Sequence, residues 1–214
     1  MPRTKPAEER RADLLAAARE VFVAKGVTAA TLEDITKAAG VSKGLFWQYF
    51  HSKEDLVFVL RQQYAQQFAE VVRAATQPVT DWAVKLDTCV QACLDQYQNE
   101  LDLHDVLFRH TTSQTPDQRP AHAALVDVLV SILSEGATAG AYLIDIPEMT
   151  ANLLFGAMQA FDPAFRGGGE LSAAEIRATQ QLFRRAVGIT EPPTTDCAPA
   201  ASAALTAGGG PRMH

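Results

Sequence analysis

The sequence predicts an all-α chain of about nine helices, on three observations. Apolar residues recur at spacings of three and four along most of its length, and no stretch shows the strict apolar–polar alternation of a half-buried strand. Residues able to cap a helix stand just ahead of these periodic runs, and three of them are followed three positions later by an acid, at "TLED", "SKED" and "SAAE". Glycine and proline fall where the periods end.

Taken in order, Leu14, Leu15, Ala18 and Phe22 mark a first helix from Arg11 to Gly26, with Gly26 placed for a left-handed C-terminal cap. Thr31 opens a second helix, closed at Ala39 by Gly40; Ser42 opens a short third through Phe50; Ser52 opens a fourth. The fourth carries Val57, Leu60, Tyr64, Phe68 and Val71 on one stripe until Pro78 stops it, long enough to connect two regions rigidly. Further helices are expected over about 80–100, starting at Thr80 or Asp81, then 101–111, 116–140 with Pro116 in the first turn, 147–163, and 172–187. The segment 189–214 is rich in Ala, Thr, Pro and Gly with no periodic apolar face, and is read as a disordered tail. The expected organisation is 1–53, 54–188 and 189–214.

Composition narrows the function. The 214 residues are 47% hydrophobic and carry a net charge of −6, enough for a buried core and unlike a general nucleic-acid binder. The charge is uneven: residues 1–53 hold nine Lys and Arg against six Asp and Glu, net +3, and the remainder ten against nineteen, net −9. An anion-binding end joined to a part with another task fits that split. Three cysteines, Cys89, Cys93 and Cys197, do not form a complete set of disulfides, and with no apolar segment after the charged N-terminus and no run of 18 apolar residues the sequence points to a cytoplasmic protein off the membrane.

The stretch "GVSKGLFWQYFHSKEDL", residues 40–56, concentrates the chemistry. Two short helices joined at Gly40 and Val41 have the dimensions of a helix-turn-helix, whose second member enters the major groove of DNA. Phe46 and Phe50, four residues apart, turn toward Leu14, Phe22 and Ile35; Lys43, Gly44, Trp47 and Gln48 then face outward. Burying every aromatic of the stretch is the competing reading, but Phe46 and Trp47 lie on different faces of a helix too short to bury both. Double-stranded DNA suits the outward set. The helix N-terminus behind Ser42 offers N–H groups to a phosphate, Lys43 reaches a guanine edge or a phosphate, Trp47 lies against thymine methyls, and Tyr49 and Lys53 hold backbone oxygens, while Gly44 permits close approach.

On "LLAAAREVFVAKGVTAATLEDITKAAGVSKGLFWQYFHSKEDL", residues 11–56 resemble the N-terminal DNA-binding domain of the TetR/AcrR family of one-component transcriptional regulators. The resemblance implies a three-helix reading head with Thr31 on phosphate, Lys43, Gly44 and Trp47 facing bases, and Gln48, Tyr49 and Lys53 on the DNA backbone. Leu45 stands where many relatives have a hydroxyl residue and His51 where many have proline; these imply contact with a thymine methyl and an added phosphate contact or a tolerated turn.

The same resemblance implies a helical ligand-binding domain that forms homodimers through its last two helices. The small residues Ala151, Gly156, Ala157 and Ala160 and the final helix supply that interface. Candidate lining residues for a small hydrophobic effector are Cys89, Cys93, Leu107, Phe108, Leu129, Leu133, Phe155 and Met158, with polar groups at Tyr97, His104, Gln159 and Asp162. Asp105 or Asp162 with aromatic faces would extend this to a lipophilic cation. Repression relieved by the effector is the expected mode.

Two other classes are weighed. An enzyme or metal site would draw on Cys89, Cys93, His104 and His110, which lack the second half of the usual zinc spacings, and "GGG" at 167–169 follows no strand that would make it a phosphate loop, so no catalytic residue, cofactor or metal is expected. A helical protein-interaction module using residues 40–56 as a peptide-binding surface is the remaining alternative.

Overall fold

In the computed structural model, residues 6–108, 119–161 and 171–189 are described. They form α1 (Ala7–Lys25), α2 (Leu32–Ala38), α3 (Lys43–Tyr49), α4 (Lys53–Thr76), α5 (Trp82–Asn99), α6 (Leu101–Phe108), α7 (Arg119–Thr138), α8 (Pro147–Met158) with a 3-10 turn over Gln159–Phe161, and α9 (Ala173–Ala186). Among the described residues there is no strand. The expected positions of Pro116, Asp162, His110, Cys197 and the tail beyond Ile189 lie outside them.

The caps act as the sequence indicates. Thr31 Oγ1 accepts the Asp34 N–H at 3.1 Å and the Asp34 carboxylate accepts the Thr31 N–H at 3.0 Å, a reciprocal box repeated by Ser172 and Glu175 ahead of α9. At α4 the exchange is offset: Ser52 Oγ accepts from Asp55, but the Asp55 carboxylate accepts from His51. Asp81, not Thr80, caps α5. Two boundaries differ. α1 starts one turn before Arg11, with Glu8 and Glu9 in a first turn where negative charge is favourable. Gly26 has φ 78° and ψ 154°, outside the left-handed helical well expected of it and in a region that only glycine occupies at low cost.

Three helices make the head. Phe22, Phe46 and Phe50 are fully buried with Leu14, Ala18 and Ile35. A seven-residue helix does not persist alone, so α3 is held by its two phenylalanines, each contributing about 1.5–3 kcal/mol of burial. In the body, α4 packs on α5 and α7, α7 on α8, and α5 on α9. The apolar stripe of α4 uses Val72 inward, whereas Val71, expected on it, is exposed. Gly136 on α7 lets the Tyr142 ring lie flush, since a Cβ there would fall 2.1 Å from the ring, and the Tyr142 hydroxyl donates to the Trp82 carbonyl at 2.7 Å. Arg184 on α9 pairs with Asp87 on α5.

Candidate nucleic-acid interface and ligand cavity

α3 divides its aromatics as its spacing requires. Phe46 is 0% exposed and Trp47, packed edge-on against it at 5.2 Å between ring centres, is 51% exposed. Ser42 Oγ accepts the Leu45 N–H at 3.2 Å and starts the helix in the open. Lys43, Gly44 and Gln48 are exposed, Leu45 and Tyr49 half-buried, and His51 exposed beyond the helix. A Cβ on Gly44 would meet only Ser42 Oγ at 3.8 Å, so packing within the protein does not require a glycine there.

Lys43 Nζ lies 2.9 Å from Glu33 and, by that hydrogen bond first and its charge second, holds the Glu33 carboxyl below the usual range. Both side chains are exposed, and a pair of this kind is worth little, so it does not hold Lys43 in place. Thr31 is exposed, but its hydroxyl already donates to Asp34 at 2.8 Å. Lys53 corrects an expectation. Its ammonium turns inward, onto the carbonyls of Val27 at 2.8 Å and Ala30 at 3.1 Å, so it ties the α1–α2 turn to the start of α4 instead of presenting a free charge to a DNA backbone. A basic group that sequence reasoning passed over is Arg11, whose guanidinium lies 5.3 Å from the Phe50 ring centre at the edge of the head.

The body holds a cavity of about 90 Å³, partly open to solvent and walled largely by apolar and aromatic side chains. Of the expected lining residues, Cys93, Tyr97, His104, Phe108, Phe155, Met158 and Gln159 do line it. Cys89, Leu107, Leu129 and Leu133 do not: all are buried core, because their positions on α5, α6 and α7 turn them into helix contacts, and the Leu107 carbonyl accepts Arg61 Nε at 2.7 Å. Cys89 instead supports the wall from behind, since its hydrogen bond with Cys93, aided by burial, pushes the Cys93 thiol up and keeps it neutral. Asp105, proposed as a cation partner, lies beside His104 at 3.7 Å and is not a lining residue. The lining residues missed are chiefly Tyr64, Ala65 and Phe68, from α4. Their signal was present: Tyr64 and Phe68 belong to the stripe that marks the inward face of α4, which the sequence presents as a connector.

The rings of Tyr64, Tyr97, His104 and Phe108 pack against one another at centre distances of 4.8–5.9 Å. No Lys, Arg, Asp or Glu is among the described lining residues. The chemistry offered is apolar contact and aromatic stacking with a few neutral polar groups.

A small three-helix head carrying a helix-turn-helix, set on a helical body with an aromatic-walled cavity, is the arrangement these residues form. Residues 14–60 match the family described as bacterial regulatory proteins, tetR family. The chain is 33% identical over 133 residues to the HTH-type transcriptional activator FasR of Mycolicibacterium smegmatis, covering 60% of this chain and 61% of that one. The fold is shared with the fatty acid degradation regulator FadR of Bacillus halodurans, at TM-score 0.71 and 23% identity over 85% of this chain and 96% of that one. It is shared also with the transcriptional regulator FadR of Bacillus subtilis in complex with stearoyl-CoA, at TM-score 0.67 and 19% identity over 84% and 99%. Residues 14–60 are thus similar to the DNA-binding domain of the tetR family, and the fold of the described residues is that of solved regulators. The chain's alignments span only part of its curated relatives, 61% of FasR and 45% of the Pseudomonas putida regulator TtgR. Among the described residues no helix is long and apolar enough to cross a membrane.

Proposed function

We propose that this chain is a cytoplasmic repressor that binds a palindromic operator as a homodimer and leaves it when a small, largely apolar molecule fills the body cavity. The observation that carries the reading is the division on α3: Phe46 and Phe50 inward, Trp47 outward beside Lys43 and an unencumbered Gly44. Lys43, Gly44, Trp47 and Leu45 face base edges in this reading; Ser42, Gln48, Tyr49, Thr31 and His51 serve the DNA backbone; Lys53 positions the head. Two such helices about 34–36 Å apart read successive major grooves.

The dimer is supported by a stripe on α8 of Met149, Leu153, Gly156 and Ala157, continued by Ala160, with Leu182 on α9 and Leu143 and Ile146 ahead of α8, all exposed. Contiguous apolar surface of this kind marks an interface. Ala151, expected on that face, is buried and belongs to the contact with the protomer's own core. The apolar, aromatic cavity suits an acyl chain or a fused-ring compound. The stearoyl-CoA bound by one FadR makes acyl thioesters the first compounds to try.

Selection of genomic fragments by the purified full-length protein, followed by footprinting and titration with acyl-CoA and aromatic compounds, tests this. The expected result is a two-fold symmetric footprint whose affinity falls steeply with salt, about 0.9 in logarithmic slope per neutralised phosphate, and is lost on adding one compound class. Sequence-indifferent binding with a shallow salt response would instead leave the interaction module. Transcript levels that rise with the protein would make it an activator.

A further inference from the structure

The corner between α5 and α6 does two things at once. Tyr97, near the end of α5, and His104, in α6, are walls of the cavity, edge to face at 4.8 Å. Between them stands Glu100, the residue that ends α5, and its two carboxylate oxygens accept from one guanidinium nitrogen of Arg19 at 2.8 and 2.7 Å. Arg19 is 81 residues away, on α1, the helix against which α2 of the reading head packs. α1 packs directly on α6, and beside that contact runs an open surface groove, with Glu20 and Val23 on one wall and Gln98 and Asp102 on the other, which the ion pair spans. Tyr64 of α4 completes the arrangement. Its ring lines the cavity 5.9 Å from His104, and its hydroxyl is pushed up first by burial and next by the Glu100 carboxylate, which places that hydroxyl within electrostatic reach of the pair.

We propose that Arg19 and Glu100 form the link through which the state of the cavity reaches the DNA-reading head: the pair anchors α1 to the corner whose flanking side chains are cavity walls. A molecule that displaces Tyr97 or His104 moves that anchor, and α1 carries α2 and α3 with it. The inference rests on the reading of the cavity as the effector site and goes beyond it by naming the connection. α4 provides the covalent route and Lys53 fastens the α1–α2 turn to its start, while the ion pair adds a polar attachment from the middle of α1 to the cavity corner. The side chains of Arg19 and Glu100 are 44% and 18% exposed, so the pair is worth a factor of roughly 2 to 5 in an equilibrium, weak enough for a ligand to overcome.

The test needs neither DNA nor an identified effector. Amide hydrogen exchange across α1 to α3 is measured in the full-length protein for the wild type, His104→Leu, Glu100→Gln and the double variant, with Tyr97→Phe in place of His104→Leu if that protein does not fold. The cavity-wall substitution should change exchange in the head about 2- to 5-fold in the wild-type background and by less than about 1.5-fold with Glu100→Gln. The exchanged pair Arg19→Glu with Glu100→Arg should restore the sensitivity. An equal response in both backgrounds, or none in either, overturns the proposal. A wild type that proves indifferent to DNA sequence would overturn the regulator reading while leaving this cycle of variants interpretable.

Discussion

Lys53, the first residue of α4, places its ammonium 2.8 Å from the carbonyl of Val27, 26 residues earlier in the chain. With a second bond to Ala30 it closes the α1–α2 turn onto the joint that connects head and body. A positive charge at this point satisfies carbonyls that would otherwise face solvent, and it fixes where α4 leaves the head.

Lys53→Ala should therefore lower stability by about 1–2 kcal/mol, the range for hydrogen bonds from a charged donor allowing for its partial exposure. Urea denaturation reads this directly. A phosphate clamp would behave otherwise: the denaturation midpoint would stay put and the salt dependence of DNA binding would become shallower by about one unit of slope.

Gly44 and Trp47 should separate fold from function. Gly44→Ala removes backbone freedom from a helical position where the added methyl meets nothing closer than Ser42 Oγ at 3.8 Å, so stability should rise by up to about 0.5–1 kcal/mol. Operator affinity should fall at least about tenfold, because the methyl stands between the helix and the groove floor. Trp47→Ala should leave stability within about 0.5 kcal/mol and flatten the preference among operator variants, whereas Phe46→Ala should cost about 3–5 kcal/mol. Unchanged affinity in Gly44→Ala would show that α3 does not approach bases at that residue.

Leu153 is 68% exposed at the centre of the apolar stripe of α8. Leu153→Glu places a charge where two copies would meet and leaves the protomer core untouched. The expected outcome is a monomer by sedimentation, with an unchanged helical signal and with operator affinity reduced to that of a single head. A dimer that survives this substitution would move the interface elsewhere.

The head was legible in the sequence because its signals are local. Thr31 with Asp34, Ser42, Ser52 with Asp55 and the Phe46–Phe50 spacing each act within one turn of helix, so reading them needs no tertiary knowledge. The cavity was legible only in part. Cys89 and Cys93, or Leu125 and Leu129, are equivalent at the level of periodicity, and that Cys93 and Leu125 face the opening depends on how α4, α5 and α7 are rotated against one another. The contribution of α4 was hidden for the same reason: Tyr64 and Phe68 carry an ordinary core pattern, and the core and a cavity wall differ only in what lies opposite. Lys53 and Arg19 lay beyond reach because their partners, Val27 and Glu100, are 26 and 81 residues away.

Asp34 supplies a pH dependence whose direction follows from its partners. The Lys25 ammonium at 2.6 Å, followed by the Thr31 hydroxyl and amide, lowers its carboxyl from the ordinary 3.8 to about 2. A group held lower in the folded state than in the unfolded one binds its proton more readily once unfolded, so it stabilises the fold above its ordinary value. That contribution fades as the pH falls from about 3.8 toward 2 and is gone below. The stability difference between the wild type and Asp34→Ala should accordingly hold constant from pH 7 to about 5 and narrow through the acid range. Because the pair is open to solvent at its Lys25 end, salt near 1 M should shrink the part due to Lys25 while leaving the Thr31 hydrogen bonds. Urea titrations of both proteins at pH 7, 5 and 3, with and without salt, measure this, and a difference that widened toward acid would mean that the capping box and Lys25 do not hold the charged form.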